Sequence, residues 1–452
     1  MTTEEILNYV KQHPSGKVKV AVTDLDGVLR GKYIAVDKFL SITEGKMGFC
    51  DVVFGWDMND AAYDNVKFTG WHSGYPDAGV KLDLRTFRKI PWENDVPFFL
   101  GEFVDPQEAP AAVCPRQLLQ KVLRDSEQLG YKPCFAQEFE WFNFAETPDS
   151  IHAKDFKNMT ALTPGMFGYS ILRSTLKGDF MTDLFDLLKR FDVPLEGLHT
   201  ETGPGVYEAA IVHTDILMAA DRAVLFKTAV KEIAYRHGVM ATFMAKWNES
   251  LPGCGGHVHQ SLWDSAGNEN VFYDAKHPQY MSEVMQQYVA GQLYCLPHIL
   301  PMYAPVINSY KRLVEGAWAP TTLTWGIDNR TVALRVLAGG KKSTRLETRV
   351  IGADTNPYLA MAACLASGLY GIRHQLKLEQ PATTGNGYRD YSYGTLPRNL
   401  DEATRQMKNS PVAKELFGDT FVEHFALTRE WEWKQYAKAV TDWELKRYFE
   451  II

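Results

Sequence analysis

The chain has 452 residues, 45% hydrophobic and 23% charged, with a formal net charge of -7. That composition is globular and long enough for two domains or three. The acidic balance argues against a nucleic-acid partner, and no apolar run approaches the eighteen or so residues of a membrane span.

The N-terminus, MTTEEILNYVKQHPSGK, is polar and acidic, so it does not read as a secretory leader. Residues 1–13 form an amphipathic pattern stopped by Pro14 and Gly16, and 17–22 alternates as a strand. Gly27 and Gly31-Lys32 bracket a return strand, which predicts a hairpin. Residues 50–105 are rich in Gly, Pro, Asp and Trp and carry no long helical pattern, so a small, mostly β domain is expected over 1–108. The remainder, 109–452, then forms a second, larger domain. A helix follows Pro115, with Leu118, Leu119, Val122 and Leu123 at helical spacing and Gly130 as its cap. A strand is expected over 133–145 and a long helix from about Asp215 to His237. Asn356-Pro357 opens a further buried helix, with Asn as N-cap and Pro in the first turn. Strands and helices alternate without clean βαβ units, which predicts an α+β fold. The six cysteines, with no CxxC pair, suit reduced thiols in a cytoplasmic protein.

Five segments carry chemistry. In Gln137-Glu138-Phe139-Glu140-Trp141-Phe142, Glu138 and Glu140 share one strand face. Two like charges on a half-buried face repel unless a cation lies between them, and a divalent metal is the simplest cation; a solvated edge strand is the alternative. Next, Glu201 and Glu208 flank a Gly-Pro-Gly turn that can fold both carboxylates to one place. In Pro252-Gly253-Cys254-Gly255-Gly256-His257-Val258-His259-Gln260-Ser261, the glycines permit close backbone approach, and His257, His259 and Ser261 alternate on one face. Arg312, Arg330 and Arg335 follow in a short span, two of them on an apolar strand, where they require anionic partners. Last, Arg345, Glu347 and Arg349 lie on one strand face beside Lys341-Lys342. Structural ion pairs and solvated faces compete with each of these readings. Together, the segments can hold two divalent metals, a triphosphate and a carboxylate substrate.

In this order, Glu-x-Glu, Glu…GPG…Glu, Gly-x-His-x-His-x-Ser, NSYKRL, WG-x-DNR and R-x-E-x-R…NPYLA, the motifs resemble the glutamine synthetase superfamily, class I type, from about residue 18 to 370. The resemblance implies a small β-grasp N-terminal domain that completes the active site of a neighbouring subunit, in hexamers or dodecamers. It implies that Glu140, Glu201 and Glu208 hold one Mg²⁺ or Mn²⁺ and that Glu138, His257 and Glu347 hold a second. Arg312 and Arg349, with Gly253, would bind glutamate. His259, Ser261, Arg330, Arg335, Lys342 and Arg345 would contact ATP. Arg330, Glu201 and Arg312 would carry the catalysis, a phosphorylation of the glutamate γ-carboxylate followed by amide formation.

The pattern departs from the ammonia-using members at one point. Their Arg-Leu-Val-Pro-Gly-Tyr-Glu-Ala-Pro reads Arg312-Leu313-Val314-Glu315-Gly316-Ala317-Trp318-Ala319-Pro320 here, so Trp318 replaces the glutamate that binds ammonium. An indole offers a π face and one N–H donor and cannot act as a base. The family's Asp-Gly-Ser-Ser stretch is also missing; Asp51 or Asp57 is the nearest substitute. An organic amine as nucleophile is the expectation, in a pocket of Trp318, Tyr169 and Asp57, with Glu201 as one choice of base. Ammonia is the alternative, and a non-catalytic ring protein a further one. Pro252 replaces a glutamate-contacting Asn, and the Asn-Leu-Tyr of adenylylated members is missing near Tyr393–Leu400. Asp24-Leu25-Asp26-Gly27 also resembles the loop of an aspartate-nucleophile phosphatase, a reading disfavoured by the hairpin that follows it.

Overall fold

A computed structural model describes residues 1–105, 107 and 109–452. The expected domain boundary at residue 108 falls outside the described residues. Among them, no helix is long and apolar enough to cross a membrane.

Thr2 and Glu5 close a capping box at the start of the first helix, Thr3–Gln12. Strand Lys17–Thr23 then turns back on Leu29–Ala35 as the predicted antiparallel hairpin. On its other side it pairs parallel with Val96–Val104, which continues through Asp77–Leu82 to Met47–Cys50 in a six-stranded mixed sheet. The turn commits both aspartates of the Asp24-x-Asp26 motif. Asp24 accepts from the Asp26 and Val28 amides and from Arg30 Nε at 2.9–3.0 Å. Asp26 pairs at 2.8 Å with Arg429 of a C-terminal helix, and both side chains are buried, at 6% and 2% exposure. Neither carboxylate is free to act as a nucleophile, which removes the phosphatase reading.

The second sheet has nine strands centred on Tyr131–Phe144. Along that strand the odd positions Phe135, Phe139 and Trp141 are fully buried, while the even positions Glu138 and Glu140 are half-buried on the opposite face. The flanking order is Trp325–Ile327, Leu334–Leu337, Arg345–Thr348, Val258–Asp264, Tyr131–Phe144, Val206–Ile211, Leu195–Thr200. Helices Pro115–Gln128, Ile216–Arg236, Glu283–Ile299 and Pro357–Arg373 supply much of the buried apolar core. Their ends follow the expected chemistry. Gly130 takes φ +82° just past the first, Asp215 caps the second through the Met218 amide, and Asn356 caps the fourth through the Tyr358 amide. The α+β class is as expected.

One local expectation needs correction. Arg330 lies in the turn between two strands, not on a strand, because Asp328 takes φ +48° and breaks the run after Ile327. Ser309–Arg312 forms one short helical turn.

The chain also folds its N-terminal region onto a late helix. Residues 57–67 lie along Asp419–Lys438, fastened by Trp431 Nε1 to Asp57 (3.0 Å), Lys434 to Asp64 (2.9 Å), Asn65 to the Leu427 carbonyl (2.8 Å) and an ion pair between Lys67 and Glu423.

Candidate active site

The even face of Tyr131–Phe144 carries the centre of the site. Neighbouring strands add to it in register. Glu140 sits opposite Glu208, while the main-chain N–H of Glu138 donates to the His257 carbonyl and that of Glu140 to the Gly255 carbonyl. On the other flank, His259 is paired with Glu347, and Glu347 with Arg335. Cross-strand partners project to one face, so residues more than two hundred positions apart meet here. The Gly203-Pro204-Gly205 turn returns Glu201 to the same place, as its spacing predicts.

A cavity of about 400 Å³ opens over this face. Glu138, Glu140, Glu201, Glu208 and His257 form its acidic wall, and Arg312, Arg330 and Arg349 face them. Gly253 and Pro252 line it too. Gly253 is required sterically, since a Cβ there would lie 2.6 Å from the Ala245 carbonyl oxygen and 2.8 Å from Arg312 Cγ. A second cavity of about 380 Å³ holds His259, Ser261, Lys342 and Arg345. Glu138 lines both.

The electrostatics divide the carboxylates into two groups. At one end His257 Nδ1 lies 2.8 Å from Glu138 and 3.4 Å from Glu347, and His259 Nε2 lies 3.3 Å from Glu138. Arg349 and Arg335 both pair with Glu347. Burial alone would push the Glu138 and Glu347 carboxyls up, but the histidines, and for Glu347 also Arg349, outweigh it and hold both below the ordinary range. At the other end the balance reverses. Burial, then Glu138, Glu140 and Glu201, push the Glu208 carboxyl far up, with Arg330 opposing. Glu201 Oε2 is buried without a hydrogen-bond partner. A crowded carboxylate set with an orphaned oxygen is a donor set that fits a hard divalent cation. One ligand atom from each of Glu138, His259 and Glu347 falls within 4.8 Å of the others, as does one from each of His199, Glu201 and Glu208. His199 was not among the residues singled out from the sequence, and His259 stands beside Glu138 as His257 does.

Arg349 organises the loops over the cavity. Besides Glu347, it donates to the Arg330 carbonyl at 3.1 Å and reaches the Trp318 carbonyl at 3.4 Å. Arg312 is buried, donating to the Val350 and Arg349 carbonyls at 3.0 and 3.2 Å. Arg335 is committed to Glu347 (2.9 Å) and Asp328 (2.5 Å), so it reaches the site through Glu347. Trp318 and Tyr169 both line the larger cavity. Each holds a positive φ, +56° and +55°. Tyr169 packs against His199, centroids 4.4 Å apart and planes tilted by 31°. Asp57 is not with them; it sits on Trp431, within its own loop.

A family model described as glutamine synthetase, catalytic domain, matches residues 112–448. The chain is 52% identical over 450 residues to type-1 glutamine synthetase 2 of Dictyostelium discoideum, covering 99% of this chain and 86% of that protein. It is 38% identical over 452 residues to a glutamate–isopropylamine ligase of Pseudomonas, covering 99% and 98%. Among solved structures, a GmaS/ADP complex superposes with a TM-score of 0.85 at 26% identity, covering 98% and 99% of the two chains.

Proposed function

The chain belongs to the glutamine synthetase family, and from that premise we propose that it is an ATP-dependent ligase joining the γ-carboxyl group of glutamate to an organic amine. The observation that carries this reading is the wall of the larger cavity. Its acidic side suits cations that can carry phosphate, its arginines suit a carboxylate substrate, and Trp318 and Tyr169 add an aromatic lining that suits an organic amine. The relative that acts on isopropylamine supports it.

In this reading the γ-carboxylate attacks the γ-phosphate of ATP, releasing ADP and leaving γ-glutamyl phosphate. The amine, having lost a proton, then displaces phosphate from the acyl carbon to give the amide. Arg312 and Arg349, with Gly253, hold glutamate. Arg330 faces the transferring phosphoryl group. His259, Ser261, Lys342 and Arg345 hold the nucleotide in the second cavity, while Arg335 positions Glu347. Glu140, Glu201 and Glu208 hold one divalent cation, Mg²⁺ or Mn²⁺, and Glu138, His257 and Glu347 another. Bound there, the cations neutralise the phosphate charge that opposes carboxylate attack. The arginines and the loop around Trp318 keep water from the acyl phosphate. Glu201 takes the amine proton. Asp57 joins the amine pocket only from a neighbouring copy, in a hexamer or dodecamer, since in its own chain it does not line the cavity.

The decisive experiment is phosphate release from ATP and glutamate across ammonia, methylamine, isopropylamine, aniline and putrescine. We expect release with alkylamines well above ammonia. Release with ammonia alone would establish the second reading, glutamine synthesis, which the 52% identical relative favours. An intact protein silent with every amine would point to a structural scaffold.

A further inference from the structure

The strands that form the acidic end of the cavity place one more donor on it. Glu140 is paired with Glu208 across one strand boundary, and Glu208 with His199 across the next. Glu140, Glu208 and His199 therefore form a single row on one face of the sheet. His199 Nε2 lies 3.7 Å from Glu208 Oε2, and Nδ1 lies 3.9 Å from Glu201 Oε2. These separations are too long for hydrogen bonds. The Nε2 separation suits two donors around one ion, because two atoms each about 2.1 Å from a cation stand no more than about 4.2 Å apart.

The surroundings of the ring point the same way. Its Nδ1 lies 3.2 Å from the Thr200 carbonyl. With the proton on Nδ1, that carbonyl accepts it and Nε2 presents a lone pair toward Glu208. A backbone carbonyl behind the imidazole is a common support of metal-bound histidine. Tyr169 packs against the ring with centroids 4.4 Å apart and planes tilted by 31°, which limits its rotation. Glu201 Oε2, the oxygen nearest His199, is the buried one without a partner.

We propose that His199 is a direct ligand of the cation at the Glu140, Glu201 and Glu208 end, a nitrogen donor in an otherwise all-oxygen set. The proposal rests on the reading above that this end holds a divalent ion. Its chemical consequence is selectivity. Mg²⁺ is bound by oxygen donors, whereas imidazole nitrogen favours transition metals. With both ions present, this end selects Mn²⁺.

The test needs neither ATP nor amine. The full chain is loaded with Mn²⁺, nitrogen coupling is read by pulsed electron paramagnetic resonance, and Mn²⁺ and Mg²⁺ affinities are measured by titration. Replacing His199→Ala should remove the coupling of one imidazole nitrogen and weaken one Mn²⁺ site at least about tenfold. His199→Gln, which keeps the volume and an oxygen donor, should lose the same coupling while holding Mg²⁺ within about threefold of wild type. Unchanged coupling and Mn²⁺ affinity in both variants would overturn the role of His199 alone. Equal loss of Mg²⁺ and Mn²⁺ in His199→Gln would mark the ring as a spacer between Tyr169 and the carboxylates, and would overturn it too. Wild-type protein that binds no Mn²⁺ would overturn the metal reading of the site as a whole.

Discussion

Replacing Trp318 with Glu tests the amine pocket directly. The backbone at this position has φ +56°. Trp and Glu both carry a Cβ, so the exchange adds little backbone strain. The tether to Arg349 uses the Trp318 carbonyl, not the indole, and survives. A charge-assisted contact to ammonium contributes about 1.5–3 kcal/mol. Trp318 is 59% exposed in the single chain, so solvent screening favours the low end, and 1.5 kcal/mol is about a tenfold gain. Loss of the aromatic wall removes roughly 0.5 kcal/mol of cation–π attraction at an exposed site, about a twofold penalty for an alkylamine. The ratio of kcat/KM for ammonia over isopropylamine should therefore rise about twentyfold. Steady-state phosphate release at saturating ATP and glutamate measures it. A ratio within twofold or so of wild type, in a variant with an unchanged melting temperature, would refute the assignment of Trp318 to the amine side.

Three further outcomes are expected. Glu208→Gln removes a carboxylate from the crowded end of the cavity; Mn²⁺ should raise the melting temperature of wild type by several degrees and that of the variant by clearly less, read by calorimetry with and without chelator. Burial holds the His424 imidazole down at about 4. The unfolded chain therefore binds the extra proton first, so this contribution to stability is present above pH 6.5 or so and is lost as pH falls toward 4, by up to about 3 kcal/mol; urea midpoints across that window should fall less steeply in His424→Leu. Asp26→Asn strips the buried Arg429 of its anion and should cost about 3 kcal/mol, whereas the double exchange Asp26→Asn with Arg429→Met should recover a large part of it, as read by denaturant titration.

Much of this architecture was legible because local rules and tertiary packing agree. The alternation around Phe135, Phe139 and Trp141 gave the central strand and placed Glu138 and Glu140 on its open face. Asn356-Pro357 and Gly130 marked helix ends by their own backbone chemistry. The carboxylates of the site were readable because paired acids in apolar segments demand a reason. What escaped depends on pairing between strands. His199 carries no signal alone; it matters because the turn after Thr200 sets it opposite Glu208. The partnership of Arg335 with Asp328 depends on a left-handed residue at 328, where nothing in the local pattern demands one. The clasp between residues 57–67 and Asp419–Lys438 joins positions some 360 apart, and its members are ordinary surface residue types.

Glu138 is the one carboxylate that lines both cavities. On the proposed assignment, nucleotide and amino acid lean on this side chain from opposite sides. On that assignment, occupying one chamber alters the charge felt in the other, so the apparent affinities for nucleotide and amino acid should be thermodynamically coupled. A lesion at this position shifts both saturation curves together, and no single-substrate titration can apportion the damage between them.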